Sequence, residues 1–162
     1  MRVIIVTGSV GTGKTTFSKK LSNKFGYPVL DINKFIKQKK LQESYDKKKK
    51  CYIVDTKKLN KEIIKEINKV KKNKPKGVII DSHLSHHLPP KYVDLCIVTK
   101  CNLKTLKKRL IKKKYSKQKI RENLDCEIFD VCYNEALEKK HKVKVVYTDK
   151  KINFKRIKNL LS

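Results

Sequence analysis

Residues 8–15 read Gly8-Ser9-Val10-Gly11-Thr12-Gly13-Lys14-Thr15 and satisfy the spacing G-x-x-x-x-G-K-[ST]. They lie between an apolar run, Arg2–Thr7, and an amphipathic stretch, Lys14–Phe25, which glycine 26 is placed to stop. Few local patterns constrain a fold as tightly: a buried strand must turn sharply through glycines into a helix. The glycines let successive backbone N–H groups face one anion, and the helix N-terminus adds positive potential. In such a loop Lys14 reaches terminal phosphates and the Thr15 hydroxyl can ligate Mg²⁺. Gly8, Gly11, Gly13, Lys14 and Thr15 therefore form a candidate polyphosphate cradle.

The rest of the chain alternates short apolar runs with longer amphipathic stretches, as in a parallel sheet covered by helices. At 162 residues it fits a single domain over 1–162 with a real core. After the first strand and helix, residues 27–30 read as a short strand ended by Asp31, 32–41 as a helix, and 42–50 as a polar segment. Leu59, Ile63, Ile64, Ile67 and Val70 recur at helical spacing over Thr56–Lys72, with Asp55 placed as the cap. Pro75 and Gly77 break the chain before a third strand, 78–81; a fourth follows at 93–99. Asn102 is expected to cap a helix to about 111, and 112–117 is a basic connector. Ser116 is expected to cap a helix to about 140. Val143–Tyr147 supplies a fifth strand before a short basic helix. The lysine run at 47–50 reads as a solvated loop.

A phosphate loop needs a second carboxylate on the metal side, at the end of a neighbouring strand, and Asp81 is the candidate. Asp81-Ser82-His83-Leu84-Ser85-His86-His87 then gathers three of the chain's four histidines beside it. In isolation such a cluster suggests zinc, but neither a cysteine nor a second ligand pair stands at metal spacing in the sequence. His83 reads either as a water-positioning or proton-handling residue, or as a surface loop histidine. The five cysteines, Cys51, Cys96, Cys101, Cys126 and Cys132, are odd in number and lack a CxxC pair, so they are expected to be reduced. No apolar stretch approaches the roughly 18 residues that cross a bilayer, and the N-terminus lacks a signal peptide's apolar region; a cytoplasmic protein is expected. The net charge is +28, carried almost wholly by lysine. That excess either attracts phosphates and RNA or reflects the lysine-rich habit of thermophile and codon-biased proteins.

These residues resemble a known family. The loop, the Asp81-x-His83 pair, His86-x-Leu88-Pro89, the run 93–98, and Tyr115-Ser116-x-x-Lys119-Ile120-x-Glu122-Asn123 are similar to the ribosome-assembly, isoenzyme-six branch of the adenylate kinases of archaea and eukaryotic nuclei. The resemblance spans Arg2 to about Tyr147. It implies an α/β, three-layer P-loop nucleoside-monophosphate-kinase fold with a parallel five-stranded sheet in the order 2-3-1-4-5. A monophosphate-binding segment is expected over 31–54 and a short lid over about 102–116. It also implies broad-specificity adenylate kinase activity with ATP hydrolysis, linked to small-subunit maturation through a ribosomal protein and possible contact with pre-rRNA. Gly11, Gly13, Lys14, Thr15 and Thr16 are the implied ATP ligands, with Mg²⁺ at Thr15 and Asp81. Lys14, Asp81 and His83 are the implied catalytic groups. Where relatives carry an arginine in the lid, this chain has Lys113, which keeps the charge but loses the bidentate fork. Arg109 is then the best-placed remaining arginine, and only lysines such as Lys34 could grip an acceptor phosphate in 31–54. Two functions stay open: phosphoryl transfer to AMP or a related monophosphate, or an ATPase switch that binds a small-subunit ribosomal protein.

Overall fold

The protein's structure is a computed structural model that describes residues 1–47 and 51–161. In chain order its elements are β1 (Arg2–Thr7), α1 (Lys14–Phe25), β2 (Val29–Asp31), α2 (Ile32–Gln38), β3 (Gln42–Asp46), β4 (Cys51–Val54), α3 (Thr56–Lys72), β5 (Gly77–Asp81), β6 (Leu95–Lys100), α4 (Leu103–Lys112), α5 (Lys117–Ile128), α6 (Val131–Glu138), β7 (Val143–Tyr147) and α7 (Phe154–Asn159). Short 3₁₀ turns occupy Ser85–His87 and Pro90–Tyr92. Five strands pair in parallel in the order β2-β5-β1-β6-β7, which is 2-3-1-4-5 when these strands alone are numbered along the chain.

The sheet is central because its strands are apolar on both faces, as parallel strands must be when helices cover each side. Val3, Ile5, Val78 and Ile80 point into one core with Ile32, Phe35, Leu59 and Ile63 of α2 and α3 and Ala136 of α6. Ile4, Val6, Ile79 and Ile97 point the other way, onto Phe17 and Leu21 of α1 and Ile157 of α7. A smaller cluster joins Cys101 to Leu106 and Leu110 of α4, with Val10 of the phosphate loop packed against it. Asp55, Asn102 and Ser116 cap their helices as expected, each side chain accepting backbone N–H bonds from the first turn.

Three expectations need correction. The polar segment after α2 forms an antiparallel hairpin, β3 with β4, in which Tyr45 faces Tyr52 with ring centroids 5.1 Å apart. Of the lysine run at 47–50, residues 48–50 lie outside the described residues. The helix expected over 116–140 is two helices, α5 and α6, because Asp130 takes a left-handed conformation at φ 52 between them. The helix expected over 32–41 ends at Gln38, where Lys40 turns left-handed at φ 51. No helix among the described residues is long and apolar enough to cross a membrane.

Candidate active site

The site is built at the carboxyl ends of the parallel strands, where open α/β sheets present ligand-binding loops. The glycines at 8, 11 and 13 have φ values of 142°, 91° and 87°. A Cβ on Gly8 would stand 2.5 Å from the Thr99 carbonyl oxygen, so the loop closes onto β6 only because that atom is missing. Gly11 rests on Leu106 and Leu110, so α4 supports the loop from behind. No side chain caps α1, whose N-terminal amides therefore remain available to an anion.

Lys14 curls back over the loop, donating to the carbonyl oxygens of Gly8 at 2.8 Å and Ser9 at 2.9 Å. Burial lowers its pKa to about 8, partly offset by negative charge on neighbours including Asp81. Asp81 ends β5 directly beside Asp31, which ends β2. It is buried, which raises its pKa, while a hydrogen bond from Thr15 and the Lys14 ammonium act the other way. Lys14, Thr15, Asn33, Asp81, His83 and Lys113 line one polar cleft, with Tyr115 and Lys119 at its rim. A hydroxyl and a desolvated carboxylate facing a phosphate cradle make a hard oxygen donor set of the kind that holds Mg²⁺.

The three clustered histidines separate. The His83 side chain, exposed overall, lines the cleft, where desolvation, then Lys14, His86, His87 and Lys119, lower its pKa to about 4, leaving it neutral at pH 7. His86 turns into the interior, its Nδ1 2.7 Å from Thr7 Oγ1 and its Nε2 2.6 Å from Glu135 Oε2 on α6. His87 stacks at a tilt against His86, with ring centroids 4.3 Å apart. The ligand atoms of His86, His87 and Glu135 lie within 4.8 Å of one another. The fold brings Glu135, from a helix distant in sequence, beside the two histidines, a juxtaposition that sequence spacing does not show.

A second cleft flanks the loop on the other side, lined by Gly13, Thr16, Phe17, Arg109, Thr148 and Ile152, and Lys113 reaches it too. Arg109 donates to the Gly11 carbonyl at 3.3 Å and to Thr148 Oγ1 at 3.2 Å, while Thr148 donates to the Thr12 carbonyl at 2.6 Å. Arg109 thereby braces the loop. Lys113, the residue that follows α4, lies on both clefts. Lys34 does not line the polar cleft, whereas its neighbour Asn33 does. Asn33, Thr148 and Glu135 are not marked by the sequence, where Lys119 appears only within the motif that carries the resemblance. The rule that ligands gather after the strand ends would have pointed to Thr148, which directly follows β7.

Comparison with known proteins gives a consistent picture. The chain matches the family described as an AAA domain over residues 4–130. It is 39% identical to a Methanocaldococcus jannaschii protein named "Putative adenylate kinase" over 146 residues, 90% of this chain and 78% of that one. It is 33% identical to the "Adenylate kinase isoenzyme 6 homolog" of Caenorhabditis elegans, over 83% of this chain and 72% of that one. In fold it is similar to shikimate kinase from Acinetobacter baumannii, with a TM-score of 0.61 at 14% identity, covering 99% of this chain and 91% of that one.

Proposed function

The chain belongs to the AAA-domain family of P-loop proteins that includes the adenylate kinase isoenzyme 6 homologs, and on that premise we propose that it transfers the γ-phosphoryl group of ATP to AMP or a similar nucleoside monophosphate. The observation that carries this reading is the single cleft in which Lys14, Thr15 and Asp81 meet Asn33 and His83. Donor-side groups and acceptor-side groups thus face one space. Phosphoryl transfer asks a protein mainly to hold two groups in line and to neutralise spreading charge.

In this reading Lys14 leaves its two loop carbonyls for the β- and γ-phosphates of ATP. The loop amides and the free N-terminus of α1 hold the remaining oxygens. Thr15 and Asp81 would hold Mg²⁺, which supplies charge neutralisation across the β- and γ-phosphates. Arg109 keeps Gly11 in place, and Lys113 and Lys119 add positive charge to the cleft. Asn33 offers a neutral amide at the start of α2, on the side where an acceptor must lie.

A second activity fits the same site. His83 lines the same cleft as Asp81, and its neutral imidazole can orient an attacking water by accepting a hydrogen bond from it when no monophosphate is bound. ATP hydrolysis is then a branch of the kinase reaction. An assembly role on the small ribosomal subunit, through a ribosomal protein and pre-rRNA, belongs to this reading; the charge of +28 supports it. A cytoplasmic location is supported by the free thiols at Cys96, Cys101, Cys126 and Cys132.

The direct test of the loop is Lys14→Ala. It should remove both ADP formation from ATP plus AMP and hydrolysis of ATP alone, since the phosphates lose their main side-chain cation. Near-normal turnover in a folded Lys14→Ala protein would contradict the assignment.

A further inference from the structure

Outside the nucleotide cleft, the 3₁₀ turn Ser85–His87 and α6 bring two imidazoles and a carboxylate together. His86 is 2% exposed, and its Nε2 is 2.6 Å from Glu135 Oε2, whose side chain is 41% exposed. His87 is half-buried beside them, with its ring next to that of His86. All three ligand atoms fit within 4.8 Å.

We propose that His86, His87 and Glu135 form a binding site for a divalent ion of the zinc type. Two histidines and a glutamate suit zinc and leave a position for water or a fourth ligand. The surrounding contacts can hold the ligand form of His86: its Nδ1 is 2.7 Å from Thr7 Oγ1, a hydroxyl able to accept an Nδ1–H bond when Nε2 turns its lone pair to an ion. This is the outer hydrogen bond that fixes tautomer and ring orientation in metal-bound histidines. His141 adds a second brace, its Nε2 3.0 Å from the His86 carbonyl oxygen. Nε2 lies 2.6 Å from Glu135 Oε2, and an ion bound between them would take the place of that hydrogen bond. The site is independent of the kinase reading: it uses none of the residues assigned to ATP.

Zn²⁺ titration of the untagged full chain against a chromogenic chelator, in excess Mg²⁺, tests this. One Zn²⁺ per chain should bind. His87→Ala and Glu135→Gln, both at partly exposed positions that keep the fold, should each weaken binding roughly tenfold or more. His83→Ala and Cys126→Ser should bind Zn²⁺ as the unaltered chain does. Co²⁺ should give visible d–d bands that both ligand variants lose. Absence of saturable binding, binding unchanged in His87→Ala and Glu135→Gln, or loss in His83→Ala or Cys126→Ser would each overturn the proposal. ATP-dependent turnover measured in parallel keeps the outcome separate from that of the kinase site.

Discussion

Lys113 stands where α4 runs out, on both clefts that flank the phosphate loop, whereas the nearest arginine already spends its guanidinium on Gly11 and Thr148. A lysine there supplies charge to ATP phosphates as a point, without the fork that grips two oxygens at once. Lys113→Ala should therefore lower turnover at saturating ATP, and Lys113→Arg should raise it, because a bidentate contact formed on closure acts on the transition state. A change in neither variant beyond about twofold, worth only ~0.4 kcal/mol of barrier, would remove Lys113 from the site. At this scale the sequence exposes residues whose role is local. The loop glycines, Lys14 and Asp81 stand at positions that strand and loop pattern define. Thr148 and Glu135 do not, since each joins its site only through packing of elements far along the chain, 136 residues from Thr12 and 49 from His86.

Helix ends are where the elements were least readable, and the reason is chemical. Glycine ordinarily marks the left-handed residue that closes a helix. Here Gly26 does so for α1, but lysines take that conformation after α2, α3, α4 and α6, at Lys40, Lys74, Lys114 and Lys140, and Asp130 does so after α5. Backbone bonds from Lys40 to the Lys37 carbonyl and from Leu41 to the Ile36 carbonyl complete the closing motif on α2, and the same pair of bonds closes α6 at Lys140 and His141. The turn is made by hydrogen bonds without its usual residue, so a lysine-rich sequence conceals it. A non-glycine residue in this region costs roughly 1–2 kcal/mol. Lys74→Gly, at an exposed position remote from both clefts, should accordingly raise unfolding stability by about 1 kcal/mol in urea titration, with turnover unchanged. A loss of stability would mean that Lys74 makes contacts that outweigh its backbone strain. By contrast, α3 and β7 have the bounds that periodicity and apolar runs predict, because amphipathic spacing and flanking caps agree there.

For the whole molecule, the parallel sheet with its central β1 fixes what can meet what. Strand order places β5 beside β1, so Asp81 arrives next to the loop that β1 feeds, and β6 and β7 bring Thr99 and Thr148 to its other flank. That order was legible from alternation and resemblance; the β3–β4 hairpin was not, since β3 is polar and mostly exposed and β4, although apolar, is a run of only four residues whose Tyr52 and Ile53 are exposed. The charge of +28 is also a property of the whole surface. Binding to single-stranded RNA should be weak and should fall steeply between about 50 and 200 mM salt, as counterion release requires. A fluorescence titration that finds salt-independent, sequence-specific affinity would contradict that. The central claim is transfer between two nucleotides in one cleft, and the most direct measurement separates ADP from inorganic phosphate by chromatography and phosphate assay, with ATP alone and with ATP plus AMP. The account predicts that AMP accelerates ADP formation, with two ADP formed per AMP consumed and slower phosphate release. ADP formation unchanged by AMP, with phosphate released in equal amount, would contradict it.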